Sequence, residues 1–214
     1  MNQPWIDISV TVHEGMPTWP GEGLRLERVM DQKNGDVCTL TRANMSAHTG
    51  THMDAPLHFV PNSGTIDQMP IDATVGPARV IQISDPRAIH KAELVPHGIQ
   101  PGDRILFRTA NSERDWQNLP FDENFVYIAH DGAEYLSECG VRSVGVDYLS
   151  VGGFRQDSVE THVALLGKGI WVIEGLRLAD IEPGDYELVC LPLKWMGCEG
   201  APARAILRRS DTAA

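Results

Sequence analysis

The chain has no paired-cysteine motif, no long apolar run and no block of like charge, and each absence removes a class of protein. Its four cysteines, Cys38, Cys139, Cys190 and Cys198, are scattered and lack Cys-x-x-Cys spacing. That argues against a disulfide framework and a thiolate metal knot, so free thiols in a reducing cytoplasm are expected. The opening Met1–Trp5 carries no basic region followed by an apolar stretch, as a secretory leader would. No apolar run approaches the roughly 18 residues of a membrane span. Gly-x-Gly-x-x-Gly and Walker-type loops are missing, so a nucleotide cofactor has no support. The Gly-x-Ser-x-Gly elbow of serine hydrolases is missing too. Neither repeats nor low-complexity tracts occur.

What remains reads as one compact α/β domain, residues 1–214, with a loose tail from Ser210 to Ala214. Hydrophobic residues make up 42% and charged residues 22%, enough for a real core. The net charge of -11 repels phosphate backbones, which argues against nucleic acid as a partner. Alternation over Ile6–Val12 predicts a half-buried strand, followed by a loop broken by Gly15, Pro17, Pro20, Gly21 and Gly23 that carries Trp19. Cys38–Ala47 leans to β. Further strands are predicted at 78–84, 104–109, 125–129, 141–146, 170–173, 186–193 and 203–208, and short helices at 91–95 and 132–138. Asp157, with Glu160 three residues on, predicts a capping box opening a helix to Leu166. Strands outnumber helices, which implies a substantial mixed sheet.

The chemistry concentrates in His48-Thr49-Gly50-Thr51-His52-Met53-Asp54-Ala55-Pro56-Leu57-His58-Phe59. Gly50, the two threonines and Pro56 disfavour a helix. In an extended chain even-numbered residues share a face, so His48, His52 and Asp54 point one way, and a bend at Pro56 lets His58 swing over the same spot. Imidazole and carboxylate are ligands for zinc and manganese, and two histidines with an aspartate leave a position open for water. A bound cation brings the pKa of that water near 7. His58 is then free to move protons.

This segment resembles the signature of the cyclase-like metal hydrolases, a family that includes bacterial kynurenine formamidases and isatin hydrolases. The resemblance continues through Ile6–Ser9, Pro17–Gly21, Gly145–Asp147 and the stretch from His162 to Leu176, and so covers nearly the whole chain. It implies a swivelling β/β/α-type fold, with a mixed sheet or barrel-like core and flanking helices. One or two divalent ions are implied, zinc foremost and manganese next. The positions matching His48, His52 and Asp54 bind one ion; those matching Asp54, His162 and Glu174 bind the second; His58 matches the general acid/base. A homodimer or larger homo-oligomer is implied as well.

The expected activity is hydrolysis of a small-molecule amide by metal-activated hydroxide, foremost N-formylkynurenine to kynurenine and formate, a step of tryptophan catabolism. Trp19 offers an aromatic face to an aryl substrate or packs its own loop; Phe59 and Trp195 are further such candidates. The alternatives are an isatin-type lactam hydrolase or other amidohydrolase of the family, a polyketide-type cyclase, and a metal-binding protein without catalysis. A metal-free hydrolase would need a serine or cysteine nucleophile, for which Cys198 in a polar loop is the best placed.

Overall fold

The computed structural model describes residues 3–210; Met1, Asn2 and the last four positions of the expected tail lie outside the described residues. The strands are β1 (Ile6–Asp7), β2 (Arg25–Met30), β3 (Leu40–Asn44), β4 (His52–Asp54), β5 (Val75–Gln82), β6 (Ala88–Ile89), β7 (Arg104–Arg108), β8 (Tyr127–Ile128), β9 (Ser143–Val146), β10 (Trp171–Glu174), β11 (Gly184–Pro192) and β12 (Gly200–Arg209). The helices are α1 (Lys91–Leu94), α2 (His130–Cys139) and α3 (Ser158–Leu166), joined by several single 3-10 turns.

Seven strands close on themselves in the order β12-β11-β5-β7-β9-β10-β4, with β4 returning to β12. The expected mixed, barrel-like α/β core is therefore what the chain forms. β5, β7, β9 and β10 run parallel; the other pairings of the barrel are antiparallel. Parallel strands need crossovers, and α2 and α3 supply those flanking β9. This explains the two patterns in the sequence. β9 and β10 are buried at every position, between barrel interior and helices, and read as continuous apolar runs. β11 alternates, turning Tyr186, Leu188 and Cys190 inward and leaving Asp185 and Leu191 exposed.

Two apolar layers result. Inside the barrel Met53, Leu106, Ile173, Leu188, Ala201 and Leu207 pack together. Outside it Ile105, Phe107, Val144, Val146 and Val172 meet Ala133 and Leu136 of α2 and Leu165 and Leu166 of α3. Each buried aliphatic side chain contributes about 1.5–3 kcal/mol. A third, aromatic cluster of Trp116, Phe125, Tyr127 and Tyr148 lies under the loops and takes in Trp19, Phe121 and Phe154.

Two local expectations are corrected, and a third is met in an unexpected setting. The strand over Ile6–Val12 ends at Asp7, apart from a bridge between Ser9 and Leu176, because the Val10 N–H donates to the Thr51 hydroxyl instead of to a neighbouring strand. The capping box does not form: Asp157 is left-handed at φ 53° and its carboxylate accepts the His130 N–H at 3.2 Å, so α3 starts at Ser158 without it. The β-leaning segment after Cys38 is real but pairs only with β2, an unforeseen strand, in a hairpin whose residues are nearly all exposed.

Candidate metal centre and pocket

His52 and Asp54 project from one face of β4, as two residues apart on a strand must. The antiparallel register with β10 sets Glu174 directly opposite His52. α3 brings His162 over the same end of the barrel, with its Nε2 3.4 Å from Glu174 Oε1 and 3.9 Å from Asp54 Oδ2. His48 does not lie in the strand; it sits in the turn before β4, and its Nδ1 reaches Asp54 Oδ1 at 2.9 Å. His58 closes the 3-10 turn Pro56–His58, and its ring stacks on that of His48 at 4.0 Å. All six residues singled out from sequence thus converge.

Backbone carbonyls orient two of the imidazoles. His52 Nδ1 lies 2.9 Å from the Gly50 carbonyl and His162 Nδ1 2.6 Å from the Ser158 carbonyl. A carbonyl accepts only, so each Nδ1 carries a proton and each Nε2 is the atom turned to the centre, where a cation can take the place of its proton. The Val151 N–H holds Glu174 Oε1 at 2.7 Å. Among the described residues, Asp54 Oδ2, His48 Nε2 and His52 Nε2 are buried without a well-directed hydrogen bond, although carboxylate oxygens stand near both nitrogens, Glu199 Oε1 at 3.4 Å from His48 Nε2 and Glu174 Oε2 at 3.2 Å from His52 Nε2. Such orphans cost about 1–3 kcal/mol each, a cost that a ligand at this point removes.

The electrostatics agree. Burial disfavours charge on His52, yet hydrogen bonds and attraction from Asp54 and Glu174 lift its pKa to about 10. Burial likewise opposes charge on His48 and His162, and the same two carboxylates raise both. Burial alone would raise the Asp54 carboxyl; His48 and His52 hold it well below the usual carboxylate range. His58 goes the other way, lowered chiefly by burial. A cluster that attracts protons so strongly also attracts a cation that can replace them.

The nitrogen and oxygen donors suit a divalent metal. Ligand atoms of His52, Asp54 and Glu174 lie within 4.8 Å of one another, and so do those of His48, Asp54 and His58. Asp54 is common to both sets. His52 Nε2 also lies 3.2 Å from Glu174 Oε2, and His58 stands beside His48, so the donor atoms of the six residues form one continuous cluster.

The cluster opens on a cavity of about 150 Å³ lined by Trp19, Glu22, His58, Phe59, Leu149 and Ser150 among others. Phe59 stacks on His162 at 4.1 Å, and Trp19 is wedged edge-on against Phe121 and Phe154, so Trp19 both lines the pocket and anchors its loop. Trp195 and Cys198 are not among the cavity's lining residues. Sequence reasoning missed Glu22, Leu149, Ser150 and Gly200. Gly200 carries the clearest signal, a glycine ahead of a closing strand: a Cβ there would come within 2.8 Å of His48 Cε1.

A closed mixed barrel with a His/Asp/Glu cluster at one end defines the class of metal-dependent hydrolases. A family model described as "Putative cyclase" matches residues 6–152, and the chain belongs to this cyclase family. The kynurenine formamidase of Geobacillus thermodenitrificans is 38% identical over 98% of this chain and 99% of that protein. Among solved structures, a "Potential Metal-Dependent Hydrolase With Cyclase Activity" superposes with a TM-score of 0.86 at 34% identity, over 98% of this chain and 99% of the other. Isatin hydrolase A from Labrenzia aggregata, bound to benzyl benzoate, gives 0.83 at 25% identity, over 97% and 94%.

Proposed function

We propose that this chain is an arylformamidase that hydrolyses N-formylkynurenine to kynurenine and formate, with His48, His52, Asp54, His162 and Glu174 as metal ligands and His58 as general acid/base. The observation that carries the reading is the set of buried, unpartnered donor atoms opening on an aromatic cavity. The full-length likeness to kynurenine formamidases supports the choice of substrate. A bound divalent ion, zinc foremost and manganese next, supplies Lewis-acid polarisation of the carbonyl and acidifies water. His52 and His162 keep their Nε2 lone pairs aimed by their carbonyl contacts. Trp19 and Phe59 hold the aryl ring between them, and Leu149 helps keep water from its edge. His58, on the cavity wall, takes a proton from the attacking water and returns it to the departing aniline nitrogen.

Placement in tryptophan catabolism and in the cytoplasm belongs to the same proposal; four free thiols suit a reducing compartment. A homodimer is proposed with it. Two-stranded hairpins are marginal alone, and β2–β3 leaves Leu26, Val37 and Leu40 exposed, a surface that a second copy would cover; sedimentation equilibrium at monomer mass would remove this part.

The test is a substrate panel on metal-stripped protein reloaded with zinc or manganese. N-formylkynurenine should be turned over best, formanilide less well, and stripping should abolish both. Turnover of isatin alone would favour the lactam hydrolase reading, which rests on the likeness to isatin hydrolase A. Undiminished hydrolysis by protein stripped of metal would end both.

A further inference from the structure

One charged side chain in the pocket has no part in the chemistry above. Glu22 lines the cavity, and its Oε2 is buried with no hydrogen-bond partner among the described residues. No Lys, Arg or His of the described residues pairs with it; the ion pairs of the molecule lie elsewhere. A carboxylate oxygen shielded from water and left unpaired is costly, and a flexible surface glutamate would swing out to avoid that cost.

The loop fixes the backbone from which the Glu22 side chain projects. Glu22 closes the turn Trp19-Pro20-Gly21-Glu22, in which its N–H donates to the Trp19 carbonyl at 3.0 Å. Pro20 presets the first central position, and Gly21, at φ 94°, occupies a second that only glycine takes without strain, as in a type II turn. The Thr18 hydroxyl donates to the Glu22 carbonyl at 3.0 Å. At the other end of the turn the Trp19 ring is locked 5.6 Å from Phe121 and 5.5 Å from Phe154. Residues that read in sequence as structure breakers therefore build a firm backbone bracket, from which the Glu22 side chain reaches the cavity.

We infer that Glu22 is a specificity-determining residue that receives a primary ammonium on the substrate, at the end remote from the scissile amide. The inference deepens the proposed function and rests on it for the aryl formamide end; what it adds is the residue that recognises the ammonium of the amino-acid tail. Trp19 and Phe59 hold the ring, the metal cluster takes the formyl group, and the ammonium completes the Glu22 oxygen. A charge-assisted hydrogen bond of this kind in a dry pocket discriminates by about 10- to 100-fold against a ligand that lacks it.

The experiment compares two ligand pairs that differ only by the ammonium, in wild type and in Glu22→Gln, a change that keeps shape and removes charge. For turnover the pair is N-formylkynurenine and its des-amino analogue. For equilibrium binding, read by calorimetry, the pair is kynurenine and des-amino kynurenine. Wild type should prefer the ammonium-bearing member of each pair by about tenfold or more, chiefly in KM, and Glu22→Gln should bring the ratio to near one. Equal use of both members by wild type, or a ratio that survives in Glu22→Gln, overturns the inference. Absence of turnover on any formamide, with the binding preference intact and lost in the variant, sinks the formamidase reading and leaves the ammonium site standing.

Discussion

Asp54 and Asp147 are both wholly buried carboxylates at 0% exposure, yet they are built for opposite purposes. Asp147 directly follows β9 and is fully satisfied. Its two oxygens accept from the Thr109 N–H at 2.8 Å, the Thr109 hydroxyl at 2.8 Å, the Asn111 amide at 3.3 Å and the Ser112 hydroxyl at 2.5 Å. Four neutral donors and no cation surround it, so burial wins and its pKa is raised despite them. Asp54 has histidines for neighbours, its pKa is driven down against burial, and it still leaves Oδ2 unpartnered. One network is closed and ties the 109–112 turn to the sheet; the other is open and waits for a group from outside the chain. A buried charge alone says little about function, whereas a buried charge with an unfilled valence points to a ligand.

The strongest test of this contrast is Asp54→Asn. The amide keeps the volume of the side chain but loses the anionic charge common to both donor sets. Metal content measured by atomic emission should fall to near zero, and kcat/KM for the formamide substrate by more than about 10³-fold, because several kcal/mol of charge stabilisation go with the ion. An Asn variant that retained metal and turnover would show that Asp54 is another Asp147.

Asp147→Asn should do the reverse. Its amide nitrogen would face donors, leaving one or two of them unpaired at a cost of about 1–3 kcal/mol of stability. In a chain of this size that lowers Tm by a few degrees, about 2–4 °C per kcal/mol, while metal content per folded molecule stays the same. The pH dependence has a definite sign. A carboxyl with its folded pKa raised contributes stability that is full below the ordinary value of 3.8 and is lost as pH rises through the folded pKa. Asparagine has no such loss. The deficit of the variant against wild type should therefore be widest near pH 4 and narrow toward neutrality, as thermal melts across that range would reveal. A deficit that widens toward pH 7 would contradict the role given to burial.

The open network was legible in the sequence and the closed one was not, for a physical reason. His52 and Asp54 follow the period of two that a strand imposes, and histidines crowded around an aspartate have few structural uses. Distant His162 and Glu174 were placed by resemblance; the structure joins them through the β4–β10 register and the helix between β9 and β10. His48 was expected on the strand and arrives from a turn instead. Asp157 misled because the partner that takes its carboxylate, His130, is 27 residues away, and no local pattern records that. β2 went unseen because a strand exposed on both faces has no alternation to read. Glu22 was hidden behind Pro20 and Gly21, whose turn chemistry names the turn but not the direction of the side chain that follows it.

Gly200 tests whether the open site is held from behind as firmly as Asp147 is held by its donors. β12 passes so close to His48 that an added methyl group would meet the ring's Cε1 at 2.8 Å and the Met53 carbonyl oxygen at 2.9 Å. Met53 is central in β4 and paired to both its neighbours, so the backbone has little room to yield. In Gly200→Ala the imidazole must therefore rotate or retreat and loosen its 2.9 Å contact with Asp54. Supports of this kind are worth about 10- to 100-fold in metal affinity, and the lower end is expected because one ligand of several is displaced. Competition titration against a calibrated chelator reads that shift directly. If affinity holds while Tm drops, the glycine serves the barrel seam alone, and His48 is a weaker contributor to the centre than its distance to Asp54 implies.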